Sequence, residues 1–85
     1  MRHLHVSPRA ERAWGLLAVP GTPEREALER VIYSLMDERV PLVGPEDRAI
    51  EHGSSVMGRL VPGTDLVVCF VPAGPEVYVI NLVRR

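Results

Sequence analysis

The spacing of apolar residues changes partway along this chain, and that change restricts it to a mixed fold. Leu28, Val31, Ile32, Leu35 and Met36 form an i, i+3, i+4, i+7 stripe, which predicts a helix with one buried face. After Ser54-Ser55 the helical spacing gives way to strand-like runs separated by turn residues. Thr22-Pro23 marks the start of the helix: threonine caps a free N–H, and proline at the first helical position has none to leave unpaired. Glu24 and Glu26 lie in the first turn, where the helix dipole favours negative charge. Glu26 and Arg30 stand four apart, as an exposed ion pair would. The helix is expected to end near Arg39, ahead of Val40-Pro41.

An earlier helix starts the same way. Ser7-Pro8 is followed by Ala10, Ala13, Trp14 and Leu17 at helical spacing, until Pro20-Gly21 interrupts the chain. Ahead of it, His3-Leu4-His5-Val6 alternates with period two, placing Leu4 and Val6 inward and His3 and His5 outward on a short strand.

Three strands are expected in the C-terminal part: Val56 to Val61, Leu66 to Val71, and Val77 to Val83. Pro62-Gly63-Thr64-Asp65 and Pro72-Ala73-Gly74-Pro75 are turns short enough to make antiparallel hairpins. The last two strands are apolar on both parities, although a sheet covered by helices on one face should alternate. If Leu66, Val68 and Phe70 face the helices, Val67, Cys69 and Val71 form a second apolar face. Tyr78, Ile80 and Leu82 compete with Val77, Val79 and Val83 in the same way. That second face is covered by the chain's own N-terminal segments, by another copy, or by a partner. Val67, Cys69 and Val71 are therefore the candidate partner-binding residues. Residues 44–53 fit either a short helix closed at Gly53 or a polar loop.

Eighty-five residues make one domain, spanning 1–85, with 46% hydrophobic and 25% charged residues, too apolar for disorder. All ten basic residues are arginines, permanently charged and able to bind phosphate through two hydrogen bonds at once. The net charge of −1 argues against broad attraction to nucleic acid, so any RNA or ribosome contact would need a local arginine patch. Cys69 stands alone in an apolar run, as a small buried core residue would. With no disulfide to make and no signal-like or membrane-spanning run, the cytoplasm is the expected location.

The opening His5-Val6-Ser7-Pro8-Arg9-Ala10-Glu11-Arg12-Ala13-Trp14, the hairpin around Gly58-Arg59-Leu60-Val61-Pro62-Gly63, and the ending Val77-Tyr78-Val79-Ile80-Asn81-Leu82-Val83-Arg84-Arg85 give the chain its recognisable text. With the strand–helix–helix–strand–strand–strand order, it resembles the RelE/ParE toxins of bacterial toxin–antitoxin systems. The resemblance implies an α+β fold, β-α-α-β-β-β, with two N-terminal helices on a mainly antiparallel sheet of three to four strands. It implies an antitoxin partner and, in the RNA-cutting members, metal-independent mRNA cleavage. Two features depart from the family pattern: Asp65-Leu66 stands where an aromatic–arginine pair usually follows the turn, and Arg84-Arg85 stands where a His-Arg is usual.

RNA cleavage without a metal needs a base, an acid and cations for the developing phosphorane charge. Arg59 is a candidate cation because it interrupts an apolar strand; the commoner arrangement is a guanidinium solvated on the outer face. Arg84 and Arg85 are candidates by resemblance, against the plainer reading of a frayed basic end. His52 has the intrinsic pKa of a base, though a histidine before a glycine often serves a helix end. Glu51 and Asp65 are further carboxylates in reach of such a role, and Tyr78 is expected in the core. His3, His5 and His52 lack a fourth ligand, and no phosphate loop or cysteine pair is present, so neither metal nor cofactor is expected. Two functions follow: an antitoxin-neutralised toxin, either an mRNA endoribonuclease or a degenerate relative; or a non-catalytic module that self-associates through an apolar sheet face.

Overall fold

The computed structural model describes residues 1–41, 43–44, 47–49 and 55–85. The elements are β1 (His3–Val6), α1 (Pro8–Leu17), α2 (Pro23–Met36), β2 (Asp47–Ala49), β3 (Met57–Leu60), β4 (Leu66–Ala73) and β5 (Glu76–Arg84). Among the described residues, one five-stranded sheet runs in the order β1-β5-β4-β3-β2. β1 joins β5 in parallel, and every other pairing is antiparallel.

The helix starts form as their local chemistry requires. Ser7 Oγ accepts from the Ala10 N–H at 3.1 Å and donates to the Ile80 carbonyl at 2.8 Å, so one hydroxyl caps α1 and pins it to β5. Thr22 Oγ1 accepts from the Arg25 N–H at 3.3 Å. α2 stops at Met36, earlier than expected, because Asp37 leaves helical geometry and its carboxylate accepts the Arg39 N–H at 3.0 Å. The exposed i, i+4 ion pair on α2 is Arg25–Glu29, at 3.3 Å, rather than Glu26–Arg30. The far end of α2 is closed from the start of the chain: Arg2 donates to the carbonyls of Leu35, Asp37 and Val40 at 3.3, 2.9 and 2.6 Å.

The core lies between the helices and the inner sheet face. Leu28 and Leu35 of α2 meet Leu66, Val68 and Phe70 of β4 and Val77, Val79 and Leu82 of β5, all fully or almost fully buried. The inward set on β5 changes parity. Cys69 faces Asn81 but Phe70 faces Val79, so Ile80 is one residue extra on β5. This bulge turns Val77 and Val79 inward before it and Leu82 inward after it. Much of the doubled apolar parity of β5 is therefore a register shift rather than a second buried face.

Two expectations need correction. Asp47–Ala49, inside the 44–53 segment, is neither helix nor loop but strand β2, paired with Met57–Arg59; His52, Glu51 and Gly53 lie outside the described residues. Tyr78 is not in the core. It is 41% exposed and stacks on His5, with ring centroids 4.6 Å apart.

Candidate functional site

Arg59 is the residue whose setting differs most from expectation. It is 5% exposed and points to the helix side of β3, not to solvent. Its Nε donates to Asp47 Oδ1 at 2.6 Å and its Nη2 to Asp47 Oδ2 at 2.7 Å, a bidentate pair across β2 and β3. Nη1 donates to Ser34 Oγ at 3.1 Å, and the guanidinium carbon lies 5.5 Å from the centre of the Phe70 ring. Ser34 in turn donates to the Val31 carbonyl, so β2, β3 and α2 are tied through one cation. Burial works against ionisation of Asp47. The Arg59 hydrogen bonds, the Gly44 N–H and the Arg59 charge outweigh it, leaving the carboxyl below its ordinary range. Arg59 is thus committed to an internal contact set, and Asp47 is the residue the sequence reading missed. No local signal marks it: twelve residues separate the partners, and only strand pairing brings them together.

Arg84 and Arg85 sit where β5 ends, beside the β3–β4 turn. Arg84 Nη1 donates to Asp65 Oδ1 at 2.6 Å, with both side chains about half exposed. The Arg85 N–H donates to the Asp65 carbonyl at 2.9 Å, which holds the chain end against the β3–β4 turn. Gly63, at φ 77°, supplies the left-handed residue of that turn. Beside these groups is a depression of about 690 Å³ that includes Thr22, Glu24, Leu60 and Thr64. β4 stands between β3 and β5, so the fold does not bring Arg59 together with Arg84 and Arg85. What the C-terminal end offers is two guanidinium groups over an open depression. One of them is held only by an exposed ion pair, which an incoming anion can exchange at little cost.

The candidate partner-binding residues lie on the outer sheet face. Val67 and Val71 are half-buried, and Cys69 is 7% exposed between Gly58 and Asn81. Burial raises the Cys69 thiol pKa above its ordinary value, so it is not poised as a nucleophile. Val67 faces Leu60 and Val83, and Val71 faces Tyr78, so a strip of apolar and aromatic side chains does cross this face.

No protein-family model and no curated protein matches the sequence. Solved structures match it over its full length. A copper-bound mutant toxin from Helicobacter pylori superposes with a TM-score of 0.76 at 17% identity, covering 100% of this chain and 96% of that one. The DinJ–YafQ complex from E. coli gives 0.77 at 12% identity, covering 99% and 93%. The chromosomal ParDE toxin–antitoxin system of P. aeruginosa gives 0.66 at 14% identity, covering 99% and 96%. The fold is that of the RelE/ParE-type toxins. Among the described residues, no helix is long and apolar enough to cross a membrane.

Proposed function

We propose that this chain is the toxin component of a type II toxin–antitoxin pair, neutralised by an antitoxin and acting in the cytoplasm. One observation carries the proposal: toxin structures superpose on this domain from end to end, and two of them come from toxin–antitoxin systems. In this reading the anion-binding end of the molecule is Arg84 and Arg85 beside Asp65, with His52 the candidate base for metal-independent mRNA cleavage. Arg59, held by Asp47 between the sheet and α2, is not part of that end. The departures at Asp65-Leu66 and at Arg84-Arg85 fit a toxin with altered or reduced RNA chemistry.

Controlled expression in a bacterial host tests this. Growth arrest with mRNA cleavage, relieved by Arg84→Ala with Arg85→Ala, is the expected result. Unimpaired growth with intact mRNA would remove the toxin activity while leaving the fold as it is.

A non-catalytic module is the second reading, and the outer-face strip of Val67, Val71, Val83 and Tyr78 favours it. Sedimentation at high concentration separates the two readings. A strict monomer with no apolar dye binding counts against self-association.

A further inference from the structure

Between α2 and β3 the two layers do not close. Ala27, Val31 and Ser34 stand at i, i+4 and i+7 on one face of α2, and their small side chains leave a hollow of about 560 Å³ against Leu60 and Pro62. That is the size of a small-molecule pocket rather than of a packing defect. Its lining on α2 covers two helical turns, about 10 Å at the usual rise per residue. The walls are mainly apolar, with Val31 6% exposed and Leu60 37% exposed.

Among the described residues, the polar side chains that line this hollow are Arg30, Ser34 and Arg59. The last two are already committed. Arg59 holds Asp47 and donates to Ser34. Ser34 gives its one hydroxyl hydrogen to the Val31 carbonyl at 2.6 Å and accepts from Arg59. Arg30 is exposed and, among the described residues, makes no side-chain hydrogen bond or ion pair. It keeps a permanent charge and a planar fork of N–H donors for an incoming group. No carboxylate lines the hollow among the described residues.

We infer that this hollow is a binding site for a small amphiphilic monoanion, an apolar body carrying one carboxylate or sulfonate. The body lies on Ala27, Val31, Leu60 and Pro62, and the head pairs with Arg30. Apolar walls hold water poorly and favour a hydrocarbon over a fully hydrated ion such as inorganic phosphate. The one uncommitted guanidinium matches a single negative charge, and a cation would meet Arg30 with no lining carboxylate to offset it. Two turns of helix restrict the body to a compact ring system or a chain of medium length. The site uses neither Arg84 nor Arg85, and it stands whether or not the chain arrests growth.

The probe is anilinonaphthalene sulfonate, an aromatic monoanion that brightens in apolar surroundings. It is titrated into the full chain by fluorescence, and amide shifts recorded by NMR locate it. Octanoate and octylammonium, the same chain with opposite heads, then compete for the site. Saturable binding is expected, with shifts centred on Ala27, Val31 and Leu60, and octanoate should displace the dye at least about tenfold better than octylammonium. Ala27→Trp, which fills the hollow, and Arg30→Glu, an exposed charge reversal that leaves the core alone, should each weaken dye and octanoate by about tenfold or more. Arg30→Glu should also erase the preference for octanoate over octylammonium, a change that loss of folding would not produce. The inference is overturned if the dye shows no saturable site, if octylammonium competes as well as octanoate, or if neither variant matters. It is equally overturned if binding is lost with Val71→Ser on the outer sheet face and kept with Ala27→Trp.

Discussion

Arg59 and Asp47 are joined by two charge-assisted hydrogen bonds of 2.6 and 2.7 Å inside the interface between the sheet and α2. Removing one member takes away the charge the other faces across β2 and β3. Asp47→Ala should cost about 3–5 kcal/mol, a large share of the roughly 4–13 kcal/mol expected for a domain of this length. Replacing both, with Asp47→Leu and Arg59→Met, should cost less than the sum of the single changes. Urea midpoints of the three variants decide it. A single change that costs almost nothing would mean the pair is not buried as described.

The same pair sets an acid dependence. The folded-state pKa of Asp47 is lowered, so the folded protein holds this carboxylate ionised more readily than the unfolded chain does. Its contribution is complete above the ordinary carboxyl value of about 3.9 and is lost as pH falls through the depressed folded value. Unfolding followed between about pH 5 and pH 2 should show the wild type losing stability faster than Asp47→Asn. Parallel curves would contradict it.

Arg2 holds the C-terminal end of α2 through three carbonyls. Arg2→Ala frees those acceptors and should lower stability by about 1–2 kcal/mol, with Arg2→Lys recovering part of it. Amide exchange should show the effect concentrated in the last turn of α2 rather than in β4.

Leu35 is 0% exposed beneath the sheet. Leu35→Ala should cost about 2–5 kcal/mol by loss of buried surface and the cavity left behind. Thermal unfolding measures it, and a loss well below that range would mean that α2 does not seal the core.

How much could be read beforehand depended on whether a signal was local. Ser7-Pro8 and Thr22-Pro23 start helices in the structure as their chemistry predicts, because a cap and its N–H lie three residues apart. The hairpin turns fall at Pro62–Asp65 and around Gly74, the second with φ 65° at its glycine. The site was less legible. Arg59 reads as solvated or aimed at a ligand until Asp47 arrives from another strand. Tyr78 reads as core until the strand register is known.

By itself, the sequence determined the order of elements, the helix starts and the residues able to line one core, since each depends on neighbours within a turn or a hairpin. Tertiary structure alone decided which face each β5 residue takes, through the extra residue at Ile80, and where the cations point. A one-residue slip reverses every side chain beyond it, and a buried charge is tolerated only where a distant partner meets it. The change from helical to strand spacing therefore fixed what this chain is built from. The pairing of β2 with β3 decided that Arg59 holds it together, leaving Arg30, Arg84 and Arg85 to face the outside.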